Sequence, residues 1–337
     1  MKDIFENKTI LVTGGCGSIG SEIVHQLLQY NPKTIRVLDN NESGHFHLEQ
    51  KIGKSEKMRY LVGDIKDRDR VFRAMEGVDV VFHAAALKHV PLCEYNPFEA
   101  VSTNVIGTQN LVEASMQHRV DKFIGISTDK AVNPVNTMGA TKLLSEKIIT
   151  CTPIGLSHVK FCCVRFGNVL DSVGSVIPIF KEQIKNGGPV TITSPKMTRF
   201  FMSMPDAVNL VLKSAKIVRG GETFILKMQT LKIIDLADAM IELLAPKHNF
   251  KIEDIKKDIM GIRHGEKFDE SLMSSEEAPH SEETEDMIIL KNSLLAHATY
   301  EFDEPNNEKE ALDYNSSTLK HLNKDEIKHL LLEKKII

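Results

Sequence analysis

The sequence predicts an α/β fold, a doubly wound, mostly parallel sheet with a smaller C-terminal α/β region, on the strength of three observations. Short apolar segments alternate with amphipathic helical ones through the first half of the chain. A glycine-rich turn stands between the first apolar segment and the first helical one. The apolar segments are also nearly continuous, as strands covered by helices on both faces are.

Thr9–Val12, Thr34–Leu38, Met58–Val62, Val78–Phe82 and Lys122–Ile126 are the predicted strands. Helical spacing covers Ser21–Gln29, Arg68–Met75 and Val105–His118. Beyond about Thr150 the pattern loosens. Lys160–Arg165 is one more strand, Gly167–Pro178 and Asn186–Pro205 are expected to be loops, and helices are expected at Pro205–Ile217 and Ile233–Leu244. Ser274–Asp286 and Glu301–Glu310 are acidic and are expected to be surface loops or a poorly ordered extension. Lys324–Lys335 is an amphipathic helix with Ile327, Leu330 and Leu331 on one side. The expected division is a nucleotide-binding region with the catalytic residues at 1–165, a substrate-binding region at 166–275, and an extension with a final helix at 276–337.

Bulk properties narrow the function classes. The 337 residues carry a formal net charge of −4, with 42% hydrophobic and 26% charged residues. Neither nucleic acid nor an anionic membrane is implied as a main partner. The N-terminus is too charged for a signal peptide, and no apolar run approaches the roughly 18 residues that span a bilayer. Cys16, Cys93, Cys151, Cys162 and Cys163 lack metal-ligand spacing and read as reduced thiols, so no metal is expected and the location is expected to be cytoplasmic.

The glycine-rich turn is Thr13-Gly14-Gly15-Cys16-Gly17-Ser18-Ile19-Gly20, entered from a strand and left into a helix. Gly14, Gly17 and Gly20 suit a tight turn, a close approach to a pyrophosphate and tight helix–strand packing, as in Rossmann-like nucleotide sites. Ser18 and Ile19 open the helix, whose free N–H groups favour phosphate. Asp39 closes the next strand about 20 residues on, where a carboxylate binds ribose hydroxyls. With Asn40 following and no adjacent arginine, NAD is preferred to NADP. Asp64 and Ile65 follow the third strand and can meet the adenine edge, and Ala84, Ala85 and Ala86 are small enough to lie against the cofactor.

Ser127-Thr128-Asp129-Lys130 leaves the fifth strand at the carboxyl edge of the sheet, where ligands bind in such folds. The next helix carries Met138 and Lys142 on one face. These segments, with His83–Pro91, Arg165–Val169, Met197–Phe200 and Gly261–Lys267, resemble the UDP-N-acetylglucosamine 4,6-dehydratases of the polysaccharide-biosynthesis branch of the extended short-chain dehydrogenases/reductases. The resemblance covers roughly residues 5–275.

That resemblance implies an internal hydride transfer. Hydride leaves C4 of the sugar, water is lost across C5–C6, and hydride returns to C6. It implies Lys130 as the base for C5, with a pKa lowered by burial or a nearby cation, and Asp129 as the acid for the departing 6-hydroxyl. It implies Lys142 at the nicotinamide ribose, and Lys88 and Asn104 at the cofactor. Lys88, Arg165, Asn168, Ser175, Val176, Thr193, Arg199, Arg263 and Glu266 are its nucleotide-sugar contacts, with Arg199 and Arg263 bracketing the diphosphate. Met138 stands where the superfamily has a proton-transferring tyrosine, and a thioether cannot take that proton. Thr128, Asp129 or a bound water are then the candidate acceptors. A homo-oligomer is expected, as is common in the family. The nucleotide base and the outcome at C5 stay open, with Met138 leaning toward retention, and a 4-epimerase or simple oxidoreductase is the alternative activity.

Overall fold

The computed structural model describes residues 1–152, 158–291 and 314–337. Five alternating units build the first half: β1 (Thr9–Thr13), β2 (Thr34–Asp39), β3 (Met58–Val62), β4 (Val80–His83) and β5 (Lys122–Thr128). A single turn α1 (Lys2–Phe5) precedes them, and α2 (Ser18–Leu28), α3 (Glu42–Ile52) and α4 (Arg68–Met75) connect the first four. Between β4 and β5 come α5 (Val90–Tyr95), α6 (Pro97–Val101), a π-helical turn at Ser102–Ile106 and α7 (Gly107–Gln117). Then α8 (Thr137–Thr150) leads to β6 (Lys160–Phe166).

Among the described residues the main sheet has nine strands; with β10 at Glu222–Leu226, β14 at Ser281–Glu283 and β15 at Met287–Leu290, their order is β14-β15-β10-β6-β5-β4-β1-β2-β3. From β3 to β10 (Glu222–Leu226) every pairing is parallel. The strand order reverses between β1 and β4, which opens the ligand crevice at the carboxyl ends. Both faces are covered by apolar packing. Ile10, Val12, Ile23 and Phe82 belong to one buried cluster, while Leu11, Leu38, Val81 and Phe123 belong to another. Alternate residues of one strand therefore face opposite cores.

Two expected loops contain regular structure. β7 (Asn168–Val169), β8 (Val190–Ile192) and β9 (Thr198–Met202) are short strands, and α9 (Val176–Lys185) begins inside the stretch read as a loop. Pro178 suggested that loop, yet it lies in the first turn of α9, where no intrahelical partner needs its missing N–H. Next come α10 (Met204–Ile217), β11 (Gln229–Lys232), α11 (Ile233–Leu244), β12 (Lys257–Ile259) and β13 (Ser271–Met273). β9 pairs with β7 and β11, and β12 with β8. A third core of Ile177, Phe180, Leu236, Met240, Ile327 and Leu331 lies under this region.

The acidic Ser274–Asp286 segment is not a loose extension. It forms β14 (Ser281–Glu283), which hairpins with β15 (Met287–Leu290) on the open edge of the main sheet. Met287, Ile288 and Leu290 are buried there, and that burial outweighs the segment's charge. Glu301–Glu310 lies outside the described residues. β16 (Tyr314–Asn315) pairs with β13, and α12 (Lys324–Glu333) closes the chain with a capping box at Asn323 and Glu326. Among the described residues all five cysteines are free thiols, no cluster of metal-ligating side chains occurs, and no helix is long and apolar enough to cross a membrane.

Candidate active site

The glycine turn forms a cradle. Gly14 has φ +66°, and a Cβ added there would lie 2.5 Å from the backbone nitrogen of Ala85. Only a residue without a side chain lets this turn lie against the end of β4. Asp39 stitches the turn to β2: its two carboxylate oxygens accept from the N–H groups of Cys16 and Asn41, each at 3.0 Å. Asn40 and Asp64 meet at 3.3 Å across the ends of β2 and β3, while Ala84, Ala85 and Ala86 follow β4 on the other side of β1. Ile65 differs from expectation, for its side chain is buried in the core with Leu38 and Val81. The N–H groups of Ser18 and Ile19 in the first turn of α2, the close backbone approach at Gly14 and the carboxylate at Asp39 together fit a dinucleotide.

A buried polar network fixes the walls of this cradle. His83 sits between Thr13 and Thr108, with its two ring nitrogens 2.8 and 3.0 Å from their hydroxyls. Burial, with the Lys142 charge nearby, pushes its pKa down to about 3, so the ring is neutral. Asn104, in the π-helical turn, donates to the carbonyl of Leu87 and to Thr141 Oγ1 and accepts from the Leu87 N–H, which pins the segment carrying Lys88. Lys88 in turn donates to the Val173 carbonyl at 2.8 Å, and the Val173 N–H donates to Ser18 Oγ.

At the end of β5 the catalytic candidates come together. Asp129 is fully buried, and its Oδ1 accepts from Thr128 Oγ1 at 2.7 Å and from Lys130 Nζ at 2.9 Å. Its Oδ2 has no partner among the described residues. Lys130 Nζ lies 3.6 Å from Glu270 Oε1, and Glu270 Oε1 lies 3.9 Å from Arg199 Nε. Burial alone lowers the Lys130 pKa, but the attractions of Asp129 and Glu270 outweigh it and the net shift is upward. The lowered pKa expected for this lysine is therefore absent while Asp129 is ionised. Lys142 does show a lowered pKa, caused by burial, and donates to the Ile126 carbonyl at 2.7 Å. Asn136 caps α8 by accepting from the Gly139 N–H. A Cβ at Gly139 would lie 2.2 Å from the carbonyl of Lys130, so its absence lets α8 dock on the Asp129–Lys130 turn. Met138 is buried in an apolar cluster with Cys93 and Ala100, as a packing group.

The nucleotide-sugar side needs one correction. Arg165 is 2% exposed, and all five of its N–H groups are engaged. It forks onto Glu146 and Glu277 and donates to the Leu272 carbonyl. It is a structural ion cluster, with no donor left for a diphosphate. Arg199 and Arg263 sit in different settings. Arg199 holds the carbonyls of Thr198, Lys267 and Phe268, while Arg263 is exposed and its N–H meets the Glu266 carboxylate at 3.4 Å. Asn168 and Thr193 are half-buried at the ends of short strands. Ser175 and Val176 open α9, and Ser175 Oγ is buried with no partner among the described residues. Glu270, which the sequence reading missed, is the added residue; nothing in its local sequence marks it as buried.

Residues 10–292 match the family model described as polysaccharide biosynthesis protein. The chain is 56% identical over 335 residues to a Methanocaldococcus jannaschii protein named only as an uncharacterized membrane protein, covering 99% of this chain and 98% of that one. It is 41% identical over 295 residues to a Campylobacter jejuni UDP-N-acetylglucosamine 4,6-dehydratase (inverting), covering 86% and 85%. Relatives named UDP-glucose 4-epimerase, from Rickettsia species, match at 39%. The chain spans 46% of a Staphylococcus aureus capsular polysaccharide biosynthesis protein that it also resembles. The X-ray structure of Pen from Bacillus thuringiensis superposes with a TM-score of 0.90 at 41% identity, covering 98% of each chain.

Proposed function

Because the chain belongs to the polysaccharide-biosynthesis family, among whose members are nucleotide-sugar 4,6-dehydratases and 4-epimerases, we propose that it is a 4,6-dehydratase acting on UDP-N-acetylglucosamine or a similar nucleotide hexose. The carrying observation is Asp129 Oδ2, a carboxylate oxygen buried in the crevice without a donor. An unpartnered buried acceptor costs free energy, and a sugar hydroxyl would supply the missing bond. The glycine turn, Asp39 and Lys142 are the residues that would hold NAD, which would supply the hydride acceptor for the oxidation at C4 and the donor for the reduction at C6.

The chain's own groups do the proton work. Asp129 Oδ2 accepts the 4-hydroxyl proton as C4 becomes a ketone, which replaces the tyrosine that Met138 excludes. Thr128 and Lys130 both donate to Oδ1, leaving Oδ2 free for this transfer. The protonated Asp129 no longer attracts the Lys130 ammonium, so one of the two attractions that hold its proton against burial is removed and the lysine is readied as the base for C5. Asp129 finally gives its proton to the departing 6-hydroxyl, so one carboxyl serves two steps. Lys142 orients the ribose, and the Lys88, Asn104 and Ser18 contacts hold the walls around the diphosphate.

Incubation with NAD and UDP-N-acetylglucosamine should produce a sugar nucleotide lighter by one water. Asp129→Asn should show neither water loss nor transient NADH on rapid mixing. A transient of wild-type size in that variant refutes the double role. An epimerised product of unchanged mass favours the 4-epimerase activity that the Rickettsia relatives carry by name.

A further inference from the structure

Glu270 lies just before β13 and is 2% exposed. Its N–H donates to Ser316 Oγ and its carbonyl accepts from the Ser316 N–H, so the backbone is fixed from both sides. The side chain enters the site, with Oε1 3.6 Å from Lys130 Nζ, while Oε2 has no partner among the described residues. The charged groups facing it are Lys130, Asp129, Arg199 and Lys267.

The elimination creates a proton-accounting problem at this point. Lys130 must lose a proton before it can take the C5 hydrogen, and both neighbouring carboxylates are shut off from solvent. Asp129 is not the acceptor, because it is already carrying the 4-hydroxyl proton toward the 6-oxygen. We propose that Glu270 is the proton store of Lys130, acting through that lysine rather than on the sugar. This rests on the dehydratase reading above. The Lys130 N–H bond breaks and an O–H bond forms on Glu270; the freed nitrogen pair then takes the C5 proton. The C5–H electrons become the C5–C6 double bond, the C6–O bond breaks, and the Asp129 proton leaves with the hydroxyl as water. Once hydride has reached C6, Lys130 returns a proton to C5 and Glu270 returns its proton to Lys130.

Burial pushes the Glu270 carboxyl up, although Lys130 and Arg199 pull against it, and a proton store needs that direction. Timing follows from the same geometry. While Asp129 is ionised it holds the Lys130 proton in place, and its neutralisation frees that proton to move.

The test compares wild type, Glu270→Gln and Glu270→Asp with NAD and UDP-N-acetylglucosamine across pH. In Glu270→Gln, transient NADH should form at a near-normal rate, while water loss falls about 100-fold at neutral pH, the scale of a lost general acid–base partner. That loss should shrink about tenfold per pH unit as rising pH strips Lys130 by another route, and Glu270→Asp should restore part of it. The proposal is overturned if Glu270→Gln eliminates water at the wild-type rate. It is equally overturned if hydride transfer and elimination fall together with no recovery at high pH, which marks a packing role. Failure of the dehydratase reading looks different, since wild type itself then forms no dehydrated product.

Discussion

Replacing Arg165 by methionine tests the assignment of that residue to the core. The substitution keeps much of the side chain's volume and removes a guanidinium whose donors serve Glu146, Glu277 and Leu272. Glu146 is 3% exposed and would be left as a lone buried carboxylate. Breaking a buried pair from one side costs about 3–5 kcal/mol. For 337 residues, at about 2.1 cal/mol/K per residue, the unfolding entropy is roughly 0.7 kcal/mol/K, so Tm should drop by about 4–7 °C. Scanning calorimetry reads this directly, and Glu146→Gln added to the variant should recover part of the loss. The pH dependence has a definite sign. Burial raises the Glu277 pKa, but Arg165 outweighs it and holds the carboxyl below its ordinary 4.5. A depressed carboxyl stabilises above that value and loses its contribution as pH falls through the folded pKa. The gap between wild type and variant should therefore narrow as the solution is acidified below about 4.5. An unchanged Tm with nucleotide-sugar affinity lost refutes the reasoning and returns Arg165 to the diphosphate.

Gly14→Ala forces a Cβ into 2.5 Å contact with the backbone of Ala85 at a φ of +66°. NAD affinity should fall at least about 100-fold by calorimetric titration, equivalent to about 2.7 kcal/mol, and unchanged binding would mean that the cradle lies elsewhere. Asn136→Ala removes both the cap of α8 and the 2.7 Å hydrogen bond to the Gly265 carbonyl. It should cost about 1 kcal/mol in denaturant unfolding and raise KM for the nucleotide sugar more than it lowers kcat. A fall in kcat alone would place Asn136 in the chemistry instead of the loop.

The strand–helix alternation, the glycine turn and the Thr128-Asp129-Lys130 turn are legible because each rests on local pattern. Apolar runs mark the buried strands, and spacing marks Arg68–Met75 and Ile233–Leu244, which the structure reproduces residue for residue. The misread residues are those whose environment other parts of the chain determine. Arg165 stands between Val164 and Phe166 in a strand covered on both faces, and that context carried a usable signal. A charge there is buried, so it must be paired, and two carboxylates from distant segments complete it. Glu270 offered no such signal, for its neighbours Asp269 and Ser271 are polar and its burial comes from Ser316 and Lys130. The hairpin at Ser281–Leu290 was hidden by its acidic lead-in, which masked the apolar Met287-Ile288-Ile289-Leu290 strand behind it.

The sheet order has a consequence for how the protein fails. β5, which ends in Thr128, is the middle strand of the nine, with four on either side among the described residues. Amide hydrogens in such a strand exchange only through the largest openings, whereas the β14–β15 hairpin and β3 sit at the rims and can fray alone. Slow-exchanging amides should therefore cluster at Phe123–Ser127, and the rims should lose protection first on mild warming. Asp129 and Lys130 follow that strand directly, so partial unfolding of either rim leaves their footing in place.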